Sequence, residues 1–212
     1  MTTEIKLRRP YTVTDLYRKK MNVLQFDGPF LRSFGNPEVR GSWLIWGKSS
    51  DGKTRLALQL ARYLTNFGKC LFNSLEEGAS ASIREGFKAV RMENVKRRIH
   101  LLDQEPMDEL ALRLSMRNSA QFVFVDSIQY TFWDVPAYKE MLQRFPDKLF
   151  IFTSHAKGKD PKGALAEAAW FDANVKVWVE GYRAFPKSRY GGGDYFDIWA
   201  EQAQIYWTQN NK

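Results

Sequence analysis

Gly47-Lys48-Ser49-Ser50-Asp51-Gly52-Lys53-Thr54 decides how this chain is read. The stretch fits G-x-x-x-x-G-K-[ST] with no mismatch. Glycines at both ends of the variable part let the backbone turn tightly, so that successive N–H groups point inward at an anion. A helix beginning at the second glycine adds its N-terminus to the same anion. Lys53 is placed to reach β- and γ-phosphates, and the Thr54 hydroxyl to ligate Mg²⁺. These residues, with Arg55 directly after them, are the candidate contacts for ATP. A coincidental Gly/Lys turn fits the same letters, so the flanks matter.

The flanks agree with a phosphate loop. Before it, Ser42-Trp43-Leu44-Ile45-Trp46 is a short apolar run that reads as a buried strand. After it, Leu56, Leu60, Tyr63, Leu64 and Phe67 recur at helical spacing over 54–67, closed by Gly68. Working outward, strands are expected at 70–75, 99–102, 122–126 and 149–153, and helices at 79–97, 106–117 and 135–145. Apolar strands alternating with helices argue for a parallel sheet covered on both faces. After about residue 172 the rhythm changes to strands alone, at 175–179, 195–200 and 204–207. This tail is expected to extend the sheet in antiparallel fashion. Residues 1–40 carry Lys6, Arg8, Arg9, Arg18, Lys19 and Lys20 among Pro10, Gly28, Pro29, Gly35 and Pro37. They read as an irregular basic lead-in to a core at 41–212. The lead-in is either an arm that touches a neighbouring subunit or nucleic acid, or an extension packed on the core.

Two strand ends supply acid. Phe122-Val123-Phe124-Val125-Asp126 is an apolar strand ending in a carboxylate. At the carboxyl edge of a parallel sheet, Asp126 faces the phosphate loop and holds Mg²⁺ through water. The alternative is an Asp that only caps the next turn. The strand at 70–75 runs into Glu76 and Glu77, and a carboxylate there orients or deprotonates an attacking water. Glu76 is preferred because it follows the strand directly, and Glu77 is the alternative. An acidic helix N-terminus would explain both without chemistry.

Taken together these segments resemble the RecA superfamily, in its RecA, RadA/Sms and DnaB-type helicase branches. Ser74-Leu75-Glu76 is similar to the segment carrying the catalytic Glu of the DnaB-type enzymes. Val125-Asp126-Ser127-Ile128-Gln129 resembles a stretch of the RadA and RecA branches. His155 stands where those families end a strand with a polar γ-phosphate sensor, commonly Gln. An imidazole can donate the same hydrogen bond, with a charge that depends on pH. Lys157-Gly158-Lys159-Asp160-Pro161-Lys162-Gly163 occupies the place of the family's loop for single-stranded DNA. Lys187-Ser188-Arg189-Tyr190-Gly191 resembles a basic motif that reaches the nucleotide of a neighbouring subunit. The resemblance covers about 41–207. It implies an α/β, RecA-like P-loop NTPase fold, Glu76, Lys53, His155, Lys187 and Arg189 as catalytic residues, and Thr54 and Asp126 as metal ligands. It further implies a homo-oligomer, ring or filament, working on single-stranded DNA in recombination, repair or replication. The chain carries neither an N-terminal domain like that of the replicative helicases nor a zinc-binding CxxC module. It resembles a bare motor core of the compact kind found in phages and mobile elements.

Bulk composition limits the remaining choices. With 44% hydrophobic residues the chain is globular, and 212 residues suit one core better than two. The excess of 32 Lys+Arg over 24 Asp+Glu gives +8, which favours anionic partners or belongs to a protein that is simply basic. A lone cysteine, Cys70, excludes an internal disulfide and suits a reducing cytoplasm. No apolar run is long enough to span a membrane, and the first twenty residues lack the apolar centre of a signal peptide. Two rivals share the phosphate loop. A small-molecule or nucleotide kinase would carry an Arg-rich lid, and the all-strand tail argues against it. The other is a regulatory scaffold that assembles on ATP and hydrolyses it slowly.

Overall fold

The computed structural model describes residues 9–95 and 97–210. Lys6 and Arg8 of the basic lead-in, and Lys96 of the helix expected at 79–97, lie outside the described residues. In chain order the elements are α1 (Val13–Arg18), α2 (Gly28–Phe34), β1 (Gly41–Gly47), α3 (Lys53–Leu64), β2 (Cys70–Ser74), α4 (Ala81–Ala89), β3 (Ile99–Asp103) and α5 (Met107–Ser115). They continue with β4 (Phe122–Asp126), α6 (Val135–Arg144), β5 (Leu149–Lys157), β6 (Asp160–Pro161), α7 (Ala164–Asp172), β7 (Val175–Glu180), β8 (Arg183–Ser188), β9 (Phe196–Asp197) and α8 (Ala200–Asn210). Short 3₁₀ turns occupy Met92–Val95 and Ile128–Thr131.

One sheet runs in the order β3-β2-β4-β5-β1-β7-β8-β9. The pairings from β3 through β7 are parallel, and β8 and β9 are antiparallel. The fold is therefore the expected α/β type, a mostly parallel sheet with an antiparallel C-terminal extension. The central strands are mostly apolar because each side packs on helices, with buried polar residues such as Asn73, Ser74, Thr153 and Ser154 toward their C-terminal ends. Trp43 and Ile45 of β1 join Leu56, Leu60 and Leu64 of α3 in one core layer. Leu44 and Trp46 join Tyr138, Met141, Ala166 and Ala169 of α6 and α7 in the other. β7 instead alternates, with Val175, Val177 and Val179 buried and Lys176, Trp178 and Glu180 only partly so.

Four readings change. The helix expected at 79–97 runs only over Ala81–Ala89 and is followed by a 3₁₀ turn at Met92–Val95. Gln204–Trp207 is not a strand but part of helix α8, where Ala203 is buried, Trp207 packs edge-on against Phe185 and the Tyr206 ring lies over Gly181. A three-residue apolar run does not distinguish the two periods. The strand expected at 195–200 shrinks to Phe196–Asp197. Finally, 9–40 is not wholly irregular. Leu24, Phe26, Phe34 and Val39 enter the core, and Phe30 stacks on Tyr63 with ring centroids 3.9 Å apart. Only α1, which buries none of its residues, stays off the core.

Candidate functional site

The parallel strands deliver their C-terminal ends to one edge, and the candidate residues gather there. β1 ends at Gly47 and leads through the loop into α3. A Cβ on Gly47 would lie 2.3 Å from the Val179 carbonyl oxygen, so the neighbouring strand excludes any side chain. Gly52 has φ +104°, a left-handed conformation that favours glycine and turns the chain into the helix. Lys53 Nζ donates to the Lys48 carbonyl, 2.8 Å away, folding the ammonium over the loop. Burial lowers its pKa, while Asp126, Glu76 and Asp51 oppose the shift.

Asp126 is buried at the end of β4. Burial raises its pKa, the hydrogen bond from Thr153 and the neighbouring Thr54 oppose that, and Glu76 and Glu77 add to it. A buried carboxylate pushed toward protonation by its surroundings, with a threonine hydroxyl on it, is a donor set that suits a divalent cation. Thr54 and Asp126 are the residues that would hold Mg²⁺, with phosphate oxygens and water completing the shell. Among the described residues no three His, Cys, Asp or Glu side chains cluster to bind a metal alone.

The two glutamates part company. Glu76 is anchored by its own N–H, which donates to the Asp126 carbonyl at 3.0 Å. Its Oε2 lies 3.5 Å from Nε2 of His155. His155 pairs in register with Gly47, which places the imidazole at the loop's edge of the sheet. Glu77 instead faces sideways into a cleft of about 320 Å³ shared with Thr54, Arg55 and Ile83.

Arg55 has a partner that the sequence did not disclose. Its guanidinium sits 4.3 Å over the Trp199 ring, and Tyr182 meets the same ring edge-on. Trp199 falls within the strand expected at 195–200, yet it lies just before α8 and is exposed. The loop is also fastened from behind, since the Tyr182 N–H donates to the Asp51 carbonyl at 3.2 Å. Burial raises the pKa of Asp51. Lys48, Ser49 and Ser50 line the outer turn, with Ser50 at φ 67°.

Lys187 and Arg189 do not join this group. Lys187 pairs with Lys176, and Lys176 with Leu44, three residues before Gly47. That puts Lys187 roughly 10 Å back along the strands and roughly 10 Å across them from its own loop. Arg189 lies past the end of β8, its N–H on the Asn174 carbonyl. It lines a cleft of about 550 Å³ with Arg40 and Lys148 at the opposite edge of the sheet. Lys157 to Gly163 is a tight hairpin, because β5 runs on to Lys157 and pairs with β6. Gln129, in the turn after β4, donates from Nε2 to the Lys162 carbonyl at 2.9 Å.

No protein-family model matches the chain, and no curated protein matches it in sequence. Among solved structures it is similar to the flagellar accessory protein FlaH from Methanocaldococcus jannaschii, with a TM-score of 0.61 and 14% identity over 84% of this chain and 94% of that one. The likeness establishes a RecA-like fold. No helix among the described residues is long and apolar enough to cross a membrane.

Proposed function

We propose that this chain is an ATP-binding and ATP-hydrolysing RecA-like core. One observation carries the reading: the phosphate loop with Lys53 folded over it and the buried Asp126, bonded to the Thr153 hydroxyl and to the Glu76 N–H, gather at one edge of the sheet. ATP is held by the loop N–H groups and by Lys53, which leaves the Lys48 carbonyl for the β- and γ-phosphates. Thr54 and Asp126 hold Mg²⁺, which supplies neutralisation of the developing phosphate charge. Arg55 on Trp199 offers a flat face beside the loop for the base. Glu76 accepts a proton from water as it attacks in line, and His155, in contact with Glu76, registers the γ-phosphate.

The same proposal has two outer parts. Lys187 and Arg189, too far from their own loop to serve it, act on the nucleotide of the next subunit in a head-to-tail ring or filament. The hairpin bearing Lys157, Lys159 and Lys162 meets the backbone of single-stranded DNA, and the Phe132 ring, 90% exposed, stands two residues past Tyr130 to stack on bases.

The test is Mg²⁺-dependent phosphate release by the purified chain, with Lys53→Ala and Glu76→Gln as controls. ATP binding without any release, at all protein concentrations and with DNA present, rejects the hydrolytic reading. One contact favours a second reading, that of an assembling scaffold with slow turnover: His155 engages the carboxylate that water needs. The similarity to an accessory protein points the same way.

A further inference from the structure

We infer that Gln129 is a positioning residue that couples the nucleotide site to the lysine hairpin, an inference that rests on the ATP-binding reading above. Gln129 lies in the 3₁₀ turn after β4, three residues from Asp126. Its side-chain amide is fully committed. Nε2 donates to Ser154 Oγ at 2.8 Å and to the Lys162 carbonyl at 2.9 Å, and Oε1 accepts from the His155 N–H at 3.3 Å. The reversed amide would set donor against the His155 N–H and acceptor against the Lys162 carbonyl, so its partners fix its orientation.

The partners belong to two different things. Ser154 and His155 are the end of β5 at the nucleotide edge. Lys162 is on the returning arm of the hairpin, whose N–H also donates to the His155 carbonyl at 2.9 Å. The segment 126–129 therefore grips β5 twice: Asp126 takes the Thr153 hydroxyl, and Gln129 takes Ser154 and His155. Asp126 stands beside the phosphate loop, where Thr54 is among the groups that act on its carboxylate. A continuous path thus runs from Asp126, at the edge of the phosphate loop, along the 128–131 turn and through the Gln129 amide to Lys162. A shift of Asp126 when phosphates arrive reaches the returning arm of the hairpin through Gln129, which holds both arms. Spatial continuity alone does not show coupling, so the test asks for it directly.

The test is hydrogen exchange at the amides of 156–163 in the full chain, with and without Mg²⁺ and a non-hydrolysable ATP analogue. Analogue affinity is measured separately by calorimetry. In the wild type the analogue changes hairpin exchange roughly tenfold. Gln129→Ala leaves analogue affinity unchanged and removes the difference, with fast exchange in both states. Ser154→Ala, which deletes one of the three bonds, reduces the difference without removing it and covers the case that Gln129→Ala does not fold. A Gln129→Ala hairpin that still responds fully overturns the inference, as does a wild type that binds the analogue with no hairpin response. If the wild type does not bind the analogue at all, the ATP reading itself fails and this inference falls with it.

Discussion

His155 and Glu76 meet across the ends of β5 and β2, with imidazole Nε2 3.5 Å from carboxylate Oε2. Both side chains are partly exposed, so water reaches them. If Glu76 is the base, Glu76→Gln keeps the shape and loses the proton acceptor. The expected outcome is a fall in kcat of about 10²–10⁴ with ATP affinity retained. His155→Ala then separates two roles. An imidazole that holds Glu76 in place predicts a roughly tenfold lower kcat. An imidazole that restrains it predicts a higher one, which would favour the scaffold reading. Single-turnover rates with bound ATP measure both.

The distance of Lys187 and Arg189 from their own loop makes a sharper claim about assembly. Arg189→Ala and Glu76→Gln are each expected to be nearly inactive, by about 10³ for the arginine. Mixed together, they regain activity, because some sites combine an intact Glu76 from one subunit with an intact Arg189 from the next. Activity that stays additive on mixing, in a preparation shown to be oligomeric, rules the trans arrangement out.

Gly47 is tested through packing. Its missing Cβ leaves room for the Val179 carbonyl at 2.3 Å, and the obstacle is backbone. Gly47→Ala must push β1 from β7 at the mouth of the loop. The expected cost is about 1–3 kcal/mol, or roughly 2–4 °C in Tm per kcal/mol for a chain of this size. Thermal unfolding of the nucleotide-free protein reads it. An unchanged Tm would mean that the two strands separate at no cost.

How much of this was legible follows from where the information lies. Phe122 to Asp126 could be read because a strand buried on both faces is apolar at every position and ends abruptly in its carboxylate. The phosphate loop could be read because backbone geometry demands its glycines. The Arg55–Trp199 stack could not, since its partners are far apart in the chain and nothing local marks them. Ile205, Tyr206 and Trp207 misled because their helix is fixed by Phe185 and Gly181, not by periodicity. Leu24, Phe26 and Phe34 sit among glycines and prolines, so their burial shows only once Tyr63 and Trp43 are in place. Gln129 reads as one polar residue in a turn until its three partners appear.

The lysine hairpin predicts a salt signature. If Lys157, Lys159 and Lys162 neutralise phosphates, affinity for single-stranded DNA falls with salt, and the slope of log K against log [salt] drops by roughly 0.7 for each lysine replaced by Ala. Phe132→Ala is expected to weaken binding by about 1–3 kcal/mol with the slope unchanged, since stacking releases no ions. Fluorescence anisotropy with a labelled oligonucleotide, across a salt series, measures both. No binding at low salt removes DNA from the proposal.

Tyr138 gives a pH test of the core independent of any ligand. Its side chain, on the inner face of α6, is fully buried, with its hydroxyl 3.2 Å from Ser42 Oγ. Burial raises the phenol from 10.0 to about 12, because the phenolate would have to leave water. A raised pKa in the folded state means that the unfolded chain loses its proton first as pH climbs. The phenol's contribution to stability is therefore complete below pH 10.0 and lost as pH rises to about 12. Tyr138→Phe removes this titration and leaves the others. Urea midpoints measured from pH 8 to pH 12 are expected to fall less steeply above about pH 10 in the variant than in the wild type. Tyr63, raised to about 12 by burial and by its bond to Asp27, gives a second such step, so the double variant Tyr63→Phe/Tyr138→Phe flattens the curve further. Parallel curves for the wild type and both variants would show that neither phenol is buried as described.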